Sequence, residues 1–224
     1  MTPLIPTILV PQGMECQAVA RGLRGSPNPP QIQPLPMGMA PVRDCLKTLC
    51  QSGQLVTGQS VLVMGLCGSL MPAHAVGDGV LYQDCRLPHQ ILPCDRPLTE
   101  TVHQQLGDAV ALVHALTSDR VITAAAEKQH LAAQFHTAVV DMEGAAILEV
   151  LGQAGIAVVM LRAVSDDCHL DLPDLGSAIA PDGGLRPLPL ARSLLSRPIA
   201  ATHLIRGSLA GLKQLERLTH QMFA

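Results

Sequence analysis

The segment from Ala138 to Val164 constrains the fold more than any other part of the chain. Two apolar runs, Ala138–Met142 and Ile156–Val164, bracket Glu143–Gln153, whose apolar residues recur at helical spacing. Strand, helix and strand in about 27 residues make a βαβ crossover. The handedness of such a connection predicts that the two strands pair in parallel. Both runs are apolar at odd and even positions alike, as strands covered by helices on both faces must be.

The rest of the chain reads in the same alternating way. Thr7–Val10 predicts a strand and Met14–Leu23 the helix after it. Ser26–Pro41 holds six prolines and predicts an exposed, mobile loop. Val42–Cys50 predicts a short helix, and Ser60–Met64 a buried strand that ends at a glycine-rich turn, Gly65–Ser69. A turn at Ala75 leads into a strand reaching Tyr82. Helical spacing then extends over Leu98–Leu116, followed by a short strand at Arg120–Thr123 and a helix over Glu127–Phe135. Asp171–Pro189 is rich in Pro, Gly and Asp and reads as loop, and Ala191–Gln221 reads as one or two helices. No repeat or linker divides the 224 residues, so residues 1–224 are expected to form a single α/β domain.

Composition removes several classes of function. With 48% hydrophobic and 15% charged residues the chain is globular. A net charge of −3 without a basic stripe argues against nucleic acid, and no polybasic segment suggests an anionic membrane. The only aromatics, Tyr82, Phe135 and Phe223, are too few for a base-stacking platform. Seven cysteines with no CxxC pair, and histidines without metal spacing, lead to the expectation of reduced thiols, no metal and no cofactor. No apolar run reaches about 18 residues, and the N-terminus lacks the secretory pattern. A cytoplasmic protein without a membrane span is expected. The turn at Gly65 lacks GxGxxG spacing and is a poor dinucleotide site.

Ligands of open α/β sheets sit beyond the carboxyl ends of the strands. Two buried strands here end in acids: Val139-Val-Asp-Met-Glu143 and Leu161-Arg-Ala-Val-Ser-Asp-Asp167. Taken singly, Glu143 fits an acid in the first turn of a helix and Asp166 a capping residue. Taken together, at the ends of neighbouring strands, they point to one crevice.

At these residues the chain resembles the nucleoside phosphorylase and nucleosidase superfamily, including the methylthioadenosine/S-adenosylhomocysteine nucleosidases. Val140-Asp-Met-Glu-Gly-Ala-Ala-Ile147 and Leu161–Asp166 look like its signature, and Thr117–Thr123 with Lys128 like the stretch forming its purine pocket. Val61–Ser69 with Val76-Gly-Asp78 is similar to its first glycine-rich turn and the strand after it. The resemblance implies a three-layer α/β/α sandwich with a mixed, mostly parallel central sheet. It implies a purine nucleoside as substrate, cleavage of the N-glycosidic bond, and a homo-oligomer, dimer or larger. Asp166 would be the acid for the purine nitrogen and Glu143 the holder of the ribose hydroxyls. Met142 would pack on the sugar, Val121 would read the base edge through its backbone, and Gly65, Cys67 and Ser165 would complete the substrate site. Water activation falls to Glu15 in one register and to Gln17 in another. Only Glu15 could serve as a base.

The C-terminal third (Asp171-Leu-Pro-Asp-Leu175, Pro181-Asp-Gly-Gly184 and Ser193–Pro198) looks like the hopanoid-associated phosphorylase branch, which implies adenosylhopane as substrate and adenine as product. Two departures matter. Met64 stands where phosphorylases of the superfamily place a phosphate-binding Arg, which favours hydrolysis over phosphorolysis; Arg21, Arg24 and Arg43 are the alternative phosphate ligands. Arg120 stands where an aromatic often stacks on the purine, and Leu66 replaces a small hydroxyl residue. Phosphate-dependent cleavage, and a catalytically silent protein that binds nucleosides or lipids, remain the alternative readings.

Overall fold

The structure is a computed structural model in which residues 5–174 and 186–224 are described. Its strands are β1 (Thr7–Pro11), β2 (Gln31–Leu35), β3 (Ser60–Ser69), β4 (Gly79–Leu87), β5 (Gln90–Pro93), β6 (Val110–Thr117), β7 (Val139–Asp141) and β8 (Ala157–Asp166). Its helices are α1 (Met14–Gly22), α2 (Met39–Gln51), α3 (Arg96–Leu106), α4 (Ala125–Phe135), α5 (Gly144–Gln153), α6 (Pro187–Ser196) and α7 (Pro198–Phe223).

Alternation along the central strands sorts the helices into two layers. Val61 and Val63 of β3 join Val158 and Met160 of β8 in a cluster with Leu46 of α2 and Leu151 of α5. Leu62 and Met64 join Val159 and Leu161 in a second cluster, with Val19 of α1, Val102 of α3 and Leu215 of α7. The sheet is thus covered on both faces, and the three-layer expectation holds. Burial of this kind is the main stabilising term. Truncating Leu151, fully buried on α5, to Ala costs about 2–5 kcal/mol.

Five strands close on one another. β3 pairs with β8 in parallel and with β7 antiparallel. β8 pairs with β4 antiparallel. β4 pairs with β6, and β6 with β7, both in parallel. β1 extends this ring from β3 and carries β2 at the edge, while β5 flanks β4.

Several expectations are corrected. β7 and β8 are not parallel neighbours: β3 lies between them, and its Gly68 is opposite both Val140 and Asp166. The crossover rule applies to neighbouring strands of one open sheet, whereas β3 here keeps β8 on one edge, with a register shift between Cys67 and Gly68, and passes from β1 to β7 on the other. The segment Gly65–Ser69 is therefore the end of a strand, not a turn. The proline-rich stretch contains β2, which tolerates Pro34 because it is an edge strand. Leu98–Leu116 is helix only to Leu106. Gly107, at φ 54, ends it, a single 3-10 turn (Gly107–Ala109) follows, and β6 begins at Val110. Arg120–Thr123 is irregular rather than a strand. The Asp171–Pro189 loop lies partly outside the described residues, and α6 begins within it at Pro187.

Candidate active site

The ends of β3, β7 and β8 and the start of α1 enclose a cavity of about 480 Å³, covered by α6 and α7. Glu15, Cys67, Val121, Met142, Glu143, Ser165 and Asp166 all line it. Gln17 is exposed on α1 and does not, so the first helix presents Glu15 and not Gln17 to the cavity. Gly65 does not reach the wall either. It lies beneath Arg162, where a Cβ would fall 2.1 Å from Nη1 of the arginine and 3.0 Å from Oε1 of Glu15.

Each acid is held by a backbone device. Glu15, in the first turn of α1, accepts the N–H of Leu66 at 2.7 Å. Glu143 stands at the N-cap of α5 and accepts the N–H of Gly38 at 2.7 Å, which ties the sheet's end to the start of α2. Asp166 ends β8 against Gly68, where the missing Cβ leaves room for its carboxylate; a Cβ there would lie 2.8 Å from Oδ2. Ser165 Oγ donates to Asp166 Oδ1 at 3.1 Å. The buried ammonium of Lys128 pairs with Oδ2 of the same carboxylate.

Arg162 sits under this group, 1% exposed, with Nη2 3.4 Å from Asp141 Oδ2. Asp141 in turn accepts Thr117 Oγ1 at 2.8 Å and the N–H of Gly144 at 3.2 Å, closing the start of α5. Burial works against the guanidinium's charge, but Asp141, Tyr82, Glu143 and Glu15 outweigh it and hold its pKa above the usual range.

Burial dominates the titration of the acids. It raises the pKa of Glu15, opposed by the Leu66 hydrogen bond and by Arg162. It pushes Glu143 up to about 7, with Asp141 and Glu15 adding to the rise and Arg162 and the Gly38 N–H opposing it. It also raises Asp166, although Lys128 and Ser165 act the other way. Crowded carboxyls in a water-poor cavity oppose one another's ionisation, so the site favours keeping a proton, most plainly on Glu143. Such a site can donate a proton to a leaving group on one wall and hold a developing cation or a water on another.

Sequence reasoning missed Arg162 and Asp141 as site residues. The signal was present, because a lone Arg inside the apolar run Ile156–Val164 requires buried acid partners. The apolar lining from Leu66, and from Leu194, Leu204, Ile205 and Leu209 in the apolar stretch Leu188–Leu218, was anticipated, whereas Met14 and Met37 were not. The arginines considered for phosphate lie elsewhere: Arg21 pairs with Glu216, Arg43 with Glu149, and neither they nor Arg24 line the cavity. Among the described residues no group of His, Cys, Asp and Glu could hold a metal ion, and no helix is long and apolar enough to cross a membrane.

Solved structures share this architecture. The futalosine hydrolase of Helicobacter pylori superimposes with a TM-score of 0.71 at 13% identity, over 96% of this chain and 95% of that one. The Helicobacter pylori 5′-methylthioadenosine/S-adenosylhomocysteine nucleosidase gives 0.67 at 14% identity, over 95% and 96%. The Streptococcus pneumoniae MTA/SAH nucleosidase, in complex with 8-aminoadenine, gives 0.62 at 14% identity, over 94% and 98%. No curated protein matches the sequence significantly. The sequence model of the Phosphorylase superfamily matches residues 35–177, which carry β3 to β8 and the acids Glu143 and Asp166. On that match, and with a fold to agree, the chain belongs to the Phosphorylase superfamily.

Proposed function

We propose that the chain hydrolyses the N-glycosidic bond of a purine nucleoside bearing an apolar 5′ substituent. The observation that carries the reading is the convergence of Glu15, Glu143 and Asp166 on one cavity whose remaining lining is largely apolar. The proteins of like fold are by name a futalosine hydrolase and methylthioadenosine/S-adenosylhomocysteine nucleosidases, which agrees with it. Asp166, whose pKa burial raises, is the acid that gives a proton to a ring nitrogen of the base as the bond from C1′ to the base breaks. The bonding pair leaves with the base, and the sugar becomes an oxocarbenium-like cation. Glu143 holds the ribose hydroxyls and offsets that charge. Glu15 takes a proton from the water whose oxygen bonds to C1′, so the products are the free base and the reducing sugar. Met142 packs beside the sugar and Val121 faces the base.

Leu66, Leu194, Leu204, Ile205 and Leu209 give the 5′ end of the cavity a surface suited to a hydrocarbon group, in keeping with the adenosylhopane that the hopanoid-branch resemblance implies. Hydrolysis is favoured over phosphorolysis because Arg21 and Arg43 are engaged elsewhere, and the cavity's own buried cation, Arg162, faces carboxylates.

Adenine release from adenosine, methylthioadenosine and a hydrocarbon-substituted adenosine, with and without phosphate, tests the reading. Phosphate-independent release, fastest for the hydrocarbon-substituted substrate and abolished by Asp166→Asn, is expected. Release only with phosphate would replace hydrolysis by phosphorolysis, and release unaffected by Asp166→Asn would refute the mechanism.

A further inference from the structure

The helices that close the cavity carry a second apolar surface on their outer side. On α6, Leu188, Arg192 and Leu195 follow the spacing of one helical face, and Leu188 and Leu195 are 84% and 81% exposed. Ile199, one residue into α7 beyond the corner at Arg197, is 77% exposed. Along α7 the exposed side continues through Thr202, Arg206, Leu209 and Lys213. Leu194, on the other side of α6, lines the cavity. Ile205 and Leu209 both line the cavity and stand about half exposed, so they belong to the cavity mouth and to the outer surface alike.

The charge of this region departs from that of the chain. Residues 186–215 contain Arg186, Arg192, Arg197, Arg206 and Lys213 and no Asp or Glu, in a protein of net charge −3. The five cations are spaced along two helices rather than run together, so no polybasic segment marks them in the sequence. Exposed leucines flanked by arginines fit a surface that inserts apolar side chains among acyl chains while long cationic side chains reach the headgroups. A symmetric contact with a second copy fits less well, because a two-fold interface sets the same patch against itself and would oppose arginine to arginine.

We propose that the outer face of α6 and the start of α7 docks reversibly on an anionic lipid bilayer. The cavity mouth then opens against the membrane. An apolar 5′ substituent could pass into the site without crossing water; that purpose, though not the docking itself, rests on the function proposed above.

The test is flotation of the full-length protein with phosphatidylcholine vesicles and with vesicles of phosphatidylcholine and phosphatidylglycerol, at low and high salt. Binding to the anionic vesicles is expected to be roughly tenfold or more tighter than to the neutral ones and to weaken with salt. A Leu188→Glu/Leu195→Glu/Ile199→Glu variant should lose that binding while releasing adenine from a water-soluble nucleoside at the unaltered rate. Equal binding by the triple variant, or none by the parent protein, overturns the proposal. So does a parent dimer in sedimentation that the triple variant converts to monomer. Vesicle binding without nucleoside cleavage would sink the proposed activity and leave the docking standing.

Discussion

Lys128, wholly buried on α4, donates its ammonium to Asp166 at the end of β8 and to the backbone carbonyl of Asp167, the latter at 2.6 Å. The lysine thus joins a helix to the strand end that carries the proposed acid. Its charge works to lower the pKa of Asp166, against burial. Lys128→Met should therefore let Asp166 keep its proton to higher pH. The alkaline limb of the kcat/KM profile should move upward, with stability lower by about 3 kcal/mol for the broken buried pair. A limb that stays in place while stability falls would reduce Lys128 to a packing role.

Glu15 and Asp166 are assigned to different proton transfers, and single substitutions separate them. Asp166→Asn and Glu15→Gln should each lower kcat by about 10²- to 10⁴-fold. Binding of an unreactive nucleoside analogue, followed by calorimetry, should change only a few-fold. If Glu15→Gln retained full turnover, water activation would have to come from another group.

Gly65 and Gly68 occupy the same strand but serve different neighbours. A methyl at Gly65 meets buried Arg162, so Gly65→Ala should overpack the core and cost about 1–3 kcal/mol, read as a lower denaturation midpoint. At Gly68 the methyl meets the carboxylate of Asp166, which is less confined. Gly68→Ala should cut kcat far more than it cuts stability. Equal loss of both quantities in the two variants would argue against this division.

Glu143, with its pKa pushed up to about 7, makes stability depend on pH. The folded protein binds this proton more tightly than the unfolded chain, so stability is highest below the unfolded value near 4.5. It falls as pH rises toward about 7 and is level above that. The loss is at most roughly 3 kcal/mol. Glu143→Gln, which keeps an acceptor for the Gly38 N–H, should flatten the slope between pH 5 and 7 in urea titrations. Parallel slopes for the two proteins would place the dependence elsewhere.

What could be read from residues alone followed burial. β8 was legible because Val158–Val164 is buried on both faces, a pattern only a covered strand produces. β6 was not, because its apolar residues follow those of α3 after only the short turn Gly107–Ala109. β2 was hidden by prolines that an edge position makes harmless. In the site, Glu143, Asp166 and Glu15 could be named from motif and strand ends. Arg162 could not be placed without knowing that Asp141, Glu143 and Glu15 surround it, since those contacts span the chain. The apolar roof from α6 and α7 depends on how two helices fold back, which their own periodicity does not specify.

The ring of five strands also sets an order of events during synthesis. β3 is complete at residue 69, yet its longest partner, β8, ends only at Asp166. Until that point has left the ribosome, the edge of β3 opposite β1 is open, and Glu15 beside Gly65 has no Arg162 to face. Late closure of long-range pairs slows folding and exposes an edge to wrong partners. A stalled or truncated chain lacking β8 is thus an aggregation hazard, and of the site's three acids only Glu15 and Glu143 are there to keep it hydrated.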